Sequence, residues 1–207
     1  MASSKISSMK EGANRNQPAY WDARFAEEGF AYGTEPNDFL VSVADRLPIG
    51  AALCLCEGEG RNATFLAQLG YQTTAVDFSA VALAKAEALA VQRGVSLKTE
   101  LSDLAGFDPG VAQWDLVTMI FGQPERGVRR ELYARIARCL RPGGAFVLET
   151  KAEIGAATDS RYPGSAVLCA ELTGLEFEIA LDGIRVLKEG RYHDGEHRTA
   201  QILAFKR

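Results

Sequence analysis

No stretch of this chain is apolar for anything near the roughly 20 residues that a membrane-spanning helix needs. Its opening, MASSKISSMKEGANRNQ, has no apolar core of secretory-signal length. These two absences set the expectation of a cytoplasmic protein with no membrane partner. Cysteine is sparse: Cys54, Cys56, Cys139 and Cys169 form no CxxC pair and fall in apolar or helical stretches, as reduced buried thiols do. Histidine is scarcer still. His193 and His197, the chain's 2 histidines, sit four apart around a turn signal rather than on a helix, and further ligands are not in view, so no metal is expected. A basic excess is missing too, since 23 Lys and Arg stand against 27 Asp and Glu. The resulting net charge of -4 offers phosphate backbones no overall field, which disfavours nucleic acid as a partner. Finally, no repeat or low-complexity block divides the chain.

What is present is one domain's worth of alternating strand and helix patterns in 207 residues. Residues 1–17 read as a mobile polar tail and 18–207 as a single domain, with 18–48 a helical lid ahead of a core at 49–207. In the lid, PAYWDARFAEE (18–28) carries Tyr20, Trp21 and Phe25 at helical spacing, and Asn37 caps a second helix running to Leu47 before Pro48. The core opens with a buried strand at 51–56, a glycine turn, and a helix at 61–69 closed by Gly70. A strand at 71–76 leads to Asp77, and Ser79 caps an alanine-rich helix to about Arg93. Strands at 95–101 and 114–121, a helix at 125–140 ended by Arg141-Pro142-Gly143-Gly144, and a strand at 145–150 follow. Residues 151–165 read as irregular. Beyond them Leu175, Phe177, Ile179 and Leu181 alternate with polar residues, and strands at 186–193 and 200–205 meet across Asp194-Gly195, a two-residue hairpin signal. The fold class is therefore α/β: a mostly parallel, Rossmann-like open sheet wrapped by helices, with an antiparallel C-terminal hairpin, binding its ligand at the carboxyl ends of the strands.

The turn itself, LCLCEGEGRN at 53–62, decides which ligand. Gly58, Gly60 and Ala63 fit the dinucleotide pattern GxGxxG/A with Asp77 a suitable distance downstream, so an NAD-dependent oxidoreductase fits by pattern. Charge separates the readings. A pyrophosphate would face the carboxylates of Glu57 and Glu59, whereas S-adenosylmethionine (SAM) brings a sulfonium and an ammonium and has no phosphate. Asp77, at a strand end, suits a pair of ribose hydroxyls.

Residues 53–90 resemble motifs I and II of class I SAM-dependent methyltransferases, particularly the small bacterial tellurite-resistance or thiopurine-type group and a cyanobacterial-type subgroup of it. The similarity continues through YWDARF, YGTEPNDFL, WDLVTMIF, LRPGGAFVLET and EGRYHDG. It implies that Gly58 and Gly60 give the methionyl part of SAM access to the backbone, that Asp77 binds ribose, that Phe78 packs on the adenine, and that Glu59, Asn62 and Ser79 are further cofactor contacts. Asp103 or the Leu104 amide would recognise the adenine amino group, Ile120 and Phe121 would lie below the methyl donor, and Tyr32 would cover it. Cys54 and Cys56 stand where the family usually has an acid and a glycine, and Glu57 would replace that acid as partner of the ammonium.

Other residues carry weaker signals. Cys54 and Cys56 are expected on one face of a buried strand, as core. The tip of EGRYHDG offers Glu189, Tyr192 or His193 to a substrate, the last as a proton acceptor, since its unperturbed pKa is about 6.5. Phe121-Gly122-Gln123-Pro124 is not the Asn/Asp-Pro-Pro-Tyr motif of amine-modifying relatives, yet Gln123 can hydrogen-bond a substrate. Trp21, among the early aromatics, joins Tyr32 and Phe121 as a substrate-side candidate. Arg126, Arg129 and Arg130 read as a solvated helix face, with Arg126 the candidate for an anionic substrate.

In-line methyl transfer needs alignment and exclusion of water more than acid–base chemistry, an effect worth up to about 7 to 11 kcal/mol. The expected activity is methylation of a small molecule carrying a soft nucleophile, a thiol or a selenium or tellurium oxyanion, by a monomer or weak homodimer, with S-adenosylhomocysteine (SAH) as the product. A catalytically idle SAM-binding module is the principal alternative, and an NAD-dependent oxidoreductase the second.

Overall fold

The computed structural model describes residues 15–153 and 161–207. Short apolar runs become the central strands β1 (Ala51–Leu55), β2 (Gln72–Asp77) and β4 (Trp114–Ile120); β3 (Lys98–Leu101), β5 (Leu140–Lys151), β6 (Glu176–Lys188) and β7 (Asp194–Phe205) complete the set. Among the described residues they form one sheet in the order β3-β2-β1-β4-β5-β7-β6. The first five pair in parallel, and β7 lies antiparallel between β5 and β6. Consecutive strands move outward from β1 in opposite directions, so the crevice at its carboxyl end is the sheet's switch point.

Helices cover both faces: α1 (Pro18–Phe25), α2 (Asp38–Val43), α3 (Arg61–Gln68), α4 (Ala80–Gln92), α5 (Arg126–Cys139) and α6 (Ser165–Glu171). The expected caps are in place. Asn37 accepts a hydrogen bond from the Leu40 amide at 3.1 Å and Ser79 from the Ala82 amide at 3.1 Å. Alternation along β1 divides the core: Leu53 and Leu55 join Leu132, Tyr133 and Ile136 of α5, while Ala52 and Cys54 join Leu40, Leu66 and Leu83 of α2, α3 and α4. Burial on both faces is what a parallel sheet between helical layers requires.

Ahead of β1, the N-terminal segment is fastened by a buried polar cluster centred on Asn37. Its side-chain amide donates to Glu149 Oε2 at 2.6 Å and Glu189 Oε1 at 2.8 Å, and its backbone amide donates to Asn62 Oδ1 at 2.9 Å. Arg61 Nη2 pairs with Glu189 Oε2 at 2.8 Å, and Arg185 and Gln201 also reach Glu149. Each buried carboxylate is thus answered by cations and amides, the condition under which buried charge is tolerated.

Three expectations change. The hairpin turn is the five-residue loop 189–193, because Lys188 pairs with Asp194 and Leu187 with Gly195; the Asp194-Gly195 signal lies inside β7. Glu189, anchored by Arg61 and Asn37, holds the loop where it is, and Gly190 packs so closely on the N-terminal segment that a Cβ would lie 2.4 Å from the Gly33 nitrogen. Arg129 is buried rather than solvated, bonded to Glu171 through Nε at 2.7 Å and Nη2 at 3.1 Å, since α6 covers that face of α5. Finally, α1 stops at Phe25 instead of running to residue 28. Of the expected tail, residues 1–14 lie outside the described residues, as do 154–160 of the segment expected to be irregular. No helix of the described residues is long and apolar enough to cross a membrane.

Gly190 and Gly195 both have positive φ, 75° and 91°, but only the first faces crowded backbone. Gly195→Ala should cost the ordinary left-handed penalty of about 1–2 kcal/mol, and Gly190→Ala clearly more. Urea unfolding of the two variants checks this; equal losses would contradict the placement of the turn.

Candidate functional site

Where β1 ends, the backbone reverses through three left-handed residues, Cys56 (φ 51°), Gly58 (φ 63°) and Gly60 (φ 86°). Glycine adopts this conformation freely and cysteine does not, so Cys56 holds a strained position. The turn is secured by carboxylates. Glu57 Oε1 accepts hydrogen bonds from the amides of Asn62 at 3.0 Å and Ala63 at 2.8 Å, which are the free donors at the N-terminus of α3. Asp77 accepts from the Gly58 amide through Oδ2 at 2.9 Å and from the Ser79 amide through Oδ1 at 2.9 Å, locking the ends of β1 and β2 together.

Both acids are buried. Burial pushes Glu57 up to about 7, against the opposing pull of the Ala63 amide, the Arg61 charge and the Asn62 amide. Burial likewise raises Asp77 to about 6, against its three backbone hydrogen bonds. Glu59 points outward from the turn, accepting from the Ala31 amide at 2.7 Å and pairing with Lys85 Nζ at 3.0 Å. It ties the N-terminal segment to the turn.

A cavity of about 510 Å³ opens above these residues. Its lining includes Glu57, Gly58, Glu59, Asn62, Asp77 and Phe78 from β1, β2 and their turns, Asp103 and Leu104 after β3, and Ile120, Phe121 and Gln123 at the end of β4. Trp21 and Tyr32 enter from the N-terminal segment, and Tyr192 and His193 from the hairpin loop. Three of the residues singled out from the sequence are absent from the lining. Gly60 packs on α4, where a Cβ would lie 2.5 Å from the Ala86 Cβ; Ser79 caps α4 and bonds Asp22; Arg126 is exposed at the start of α5.

His193 is buried, its ring 4.2 Å from that of Phe121 and 4.7 Å from that of Tyr32. Nδ1 lies 3.6 Å from Glu189 Oε2. Burial keeps the imidazole below its ordinary pKa, so it is neutral near pH 7, while His193 and Arg61 hold Glu189 down to about 2 despite its burial. Cys54 and Cys56 do not share a face: Cys54 lies in the α2–α4 core and Cys56, turned by its left-handed backbone, packs toward the α5 side. Burial raises both thiols, leaving them protonated. Among the described residues no group of ≥ 3 His, Cys, Asp or Glu is placed to hold a metal.

Sequence reasoning passed over Arg15, Asn16, Arg24, Lys151 and Arg161, all of which line the cavity. Lys151 was accessible to the rule that ligands meet strand carboxyl ends. Arg24 lies in YWDARF, a stretch of the resemblance that implies no role for the arginine, and Arg15 and Asn16 fell in the segment read as a tail.

The arrangement offers hydrogen-bond acceptors and aromatic faces near the turn, and the amides that would cradle a phosphate already hold Glu57. Each Asp77 oxygen keeps a lone pair for a further donor, as a diol requires. Residues 52–144 match the model of a methyltransferase domain. No curated protein matches the chain. Solved structures do. One, concerned with conversion of a disulfide bond into a thioacetal group during echinomycin biosynthesis, shares 19% identity at a TM-score of 0.74, covering 92% of this chain and 93% of its own. TehB from Haemophilus influenzae shares 17% at 0.66, with 82% and 62% covered. A SAM-dependent methyltransferase from Methanosarcina mazei shares 16% at 0.65, with 80% and 96% covered. At such identities the likeness establishes the fold, the Rossmann-like α/β architecture expected from the sequence.

Because Glu57 and Asp77 have folded-state pKa values above their ordinary ones, their contribution to stability is full below the ordinary carboxylate range and is lost as pH rises through about 6 to 7. Stability of the ligand-free protein should therefore fall between pH 5 and pH 8, and fall less in Glu57→Gln. At pH 5, Glu57→Ala should be less stable than Glu57→Gln by about 1–3 kcal/mol, because it orphans two buried amides. Chemical denaturation across this range measures both, and a pH-independent difference between wild type and Glu57→Gln would contradict the assignment.

Proposed function

We propose that the protein is a SAM-dependent methyltransferase acting on a small molecule through a soft nucleophile, a thiol or a selenium or tellurium oxyanion. The observation that carries this reading is the Glu57 carboxylate on the Asn62 and Ala63 amides. In a dinucleotide enzyme those amides meet the pyrophosphate; here a side chain of the protein meets them, leaving a phosphate without those donors, and adds negative charge where it ionises, near pH 7 and above. A ligand without phosphate and with cationic groups is the one that gains. The match of residues 52–144 to a methyltransferase domain supports the same conclusion, and the sulfur chemistry named for the echinomycin structure supports a soft acceptor.

The residues fit SAM group by group. Asp77 would accept from both ribose hydroxyls, Phe78 would pack on the adenine, and Asp103 with the Leu104 amide would meet its amino group. Glu57 and Gly58 would lie along the methionyl part. Bound there, SAM would supply an electrophilic methyl group to the acceptor's electron pair and would leave as SAH. The chain's own part is placement and exclusion of water. Residues 18–48 act as the lid, with Trp21 and Tyr32 closing over the cavity beside Tyr192. Ile120 and Phe121 form the wall below the reacting centre, and Gln123 offers the acceptor a hydrogen bond. His193, neutral and buried, takes the proton from a thiol that arrives protonated. We infer a cytoplasmic enzyme that works as a monomer or weak homodimer.

The test is incubation with SAM labelled in its methyl group and a panel of small thiols, selenite and tellurite, with protein and RNA alongside. Label should appear on thiols or chalcogen species. Label on protein or RNA alone would overturn the acceptor class, and SAM binding with no transfer to any member would favour the idle module.

A further inference from the structure

The cavity's charge is divided by strand. Four of its carboxylates, Glu57, Glu59, Asp77 and Asp103, come from the β1, β2 and β3 half of the sheet, with Glu125 at the start of α5 the exception, whereas Lys151 ends β5 on the other side of β4 and Arg24 reaches in from α1. Of the cavity's cations, Arg61 pairs with Glu189, whereas Arg24, Lys151 and Arg15 have no carboxylate partner among the described residues, and Arg15 is bonded to the Tyr162 hydroxyl. Arg24 donates to the Tyr32 hydroxyl at 2.9 Å and to that of Tyr20, and its guanidinium carbon lies 4.1 Å from the Tyr192 ring centroid. A collar of phenols fixes the guanidinium plane by stacking and neutral hydrogen bonds without neutralising it. Lys151 is half-buried and has no hydrogen bond or ion pair among the described residues. Burial and the charges of Arg15 and Arg24 all act to lower its pKa, so it lies within the field of both. Repelling cations kept together at one end of a cavity are explained by an anion that joins them. Arg161 is set apart, since it lies 3.8 Å from Glu125 and bonds Asn16.

We propose that Arg24 and Lys151 form a subsite for an oxygen anion carried by the methyl acceptor, either an organic carboxylate or the oxyanion of a chalcogen acid. This rests on the methyltransferase reading and narrows it: the acceptor is anionic, with its charge held on the β5 side while its nucleophilic atom faces the β4 end. The planar guanidinium supplies a two-point contact and the ammonium a point charge. The anion takes no part in bond making, and the subsite orients the acceptor.

Calorimetry on the wild-type chain first measures SAH, and then titrates the SAH-saturated protein with 3-mercaptobenzoate, with thiophenol, which lacks only the carboxylate, and with selenite. Either 3-mercaptobenzoate should bind at least about 10-fold more tightly than thiophenol, marking an organic carboxylate, or selenite should bind, marking an inorganic oxyanion. In both cases Arg24→Gln and Lys151→Met should abolish the preference while leaving SAH affinity unchanged, which also shows the variants are folded. Equal binding of the two thiols with no selenite binding would overturn the subsite. So would loss of SAH affinity in the variants, which would assign these cations to the cofactor's own carboxylate. If SAH fails to bind the wild type, the methyltransferase reading falls and this proposal with it, an outcome distinct from failure of the subsite alone.

Discussion

One carboxylate, Glu57, stands on two amides at the start of α3, and the rest of the site is arranged around that contact. It satisfies donors that the first turn of a helix cannot satisfy itself, and it holds the turn in the left-handed path that brings Gly58 to Asp77. The same contact places a buried acid where an open helix terminus would attract an anion. A single interaction thus fixes the geometry of the turn and occupies the amides that would otherwise draw an anion into the crevice above it.

The second constraint is the buried cluster around Asn37. It joins α2, α3, β5 and the hairpin loop through Asn62, Glu149, Glu189 and Arg61, and it clamps the N-terminal segment over the strand ends. Removing one member would leave a buried charge or amide without its partner, so the cluster is more demanding of its geometry than an apolar contact of the same size. Glu59, reaching both Ala31 and Lys85, adds a second tie from the turn to that segment. Turn, segment and hairpin loop therefore form one assembly, and His193 is positioned by it between Tyr32 and Phe121.

The sequence made the sheet legible because strands buried on two faces are short apolar runs, and glycine and capping residues punctuate them: Gly70 and Gly94 stop helices and Asn37 and Ser79 start them. The turn was legible for the same reason. The hairpin was misjudged because local turn chemistry favoured Asp194-Gly195, whereas tertiary contacts of Glu189 and Gly190 placed the reversal earlier. Arg129 was misjudged because α6, which buries it, has too weak a periodicity to be seen in seven residues. Glu57 was read as a partner for a ligand, and one of its oxygens instead serves the protein's own backbone. Arg24 and Lys151 escaped notice because a cation's lack of a partner is a property of space, not of spacing along a chain.

The central claim, that Glu57 closes the crevice to phosphates and favours a sulfonium ligand, is tested most directly by calorimetric titration of the purified protein with SAM, SAH and NADH. Micromolar binding of SAM and SAH with no heat from NADH is the predicted result. Binding of NADH, or of none of the three, would contradict the account.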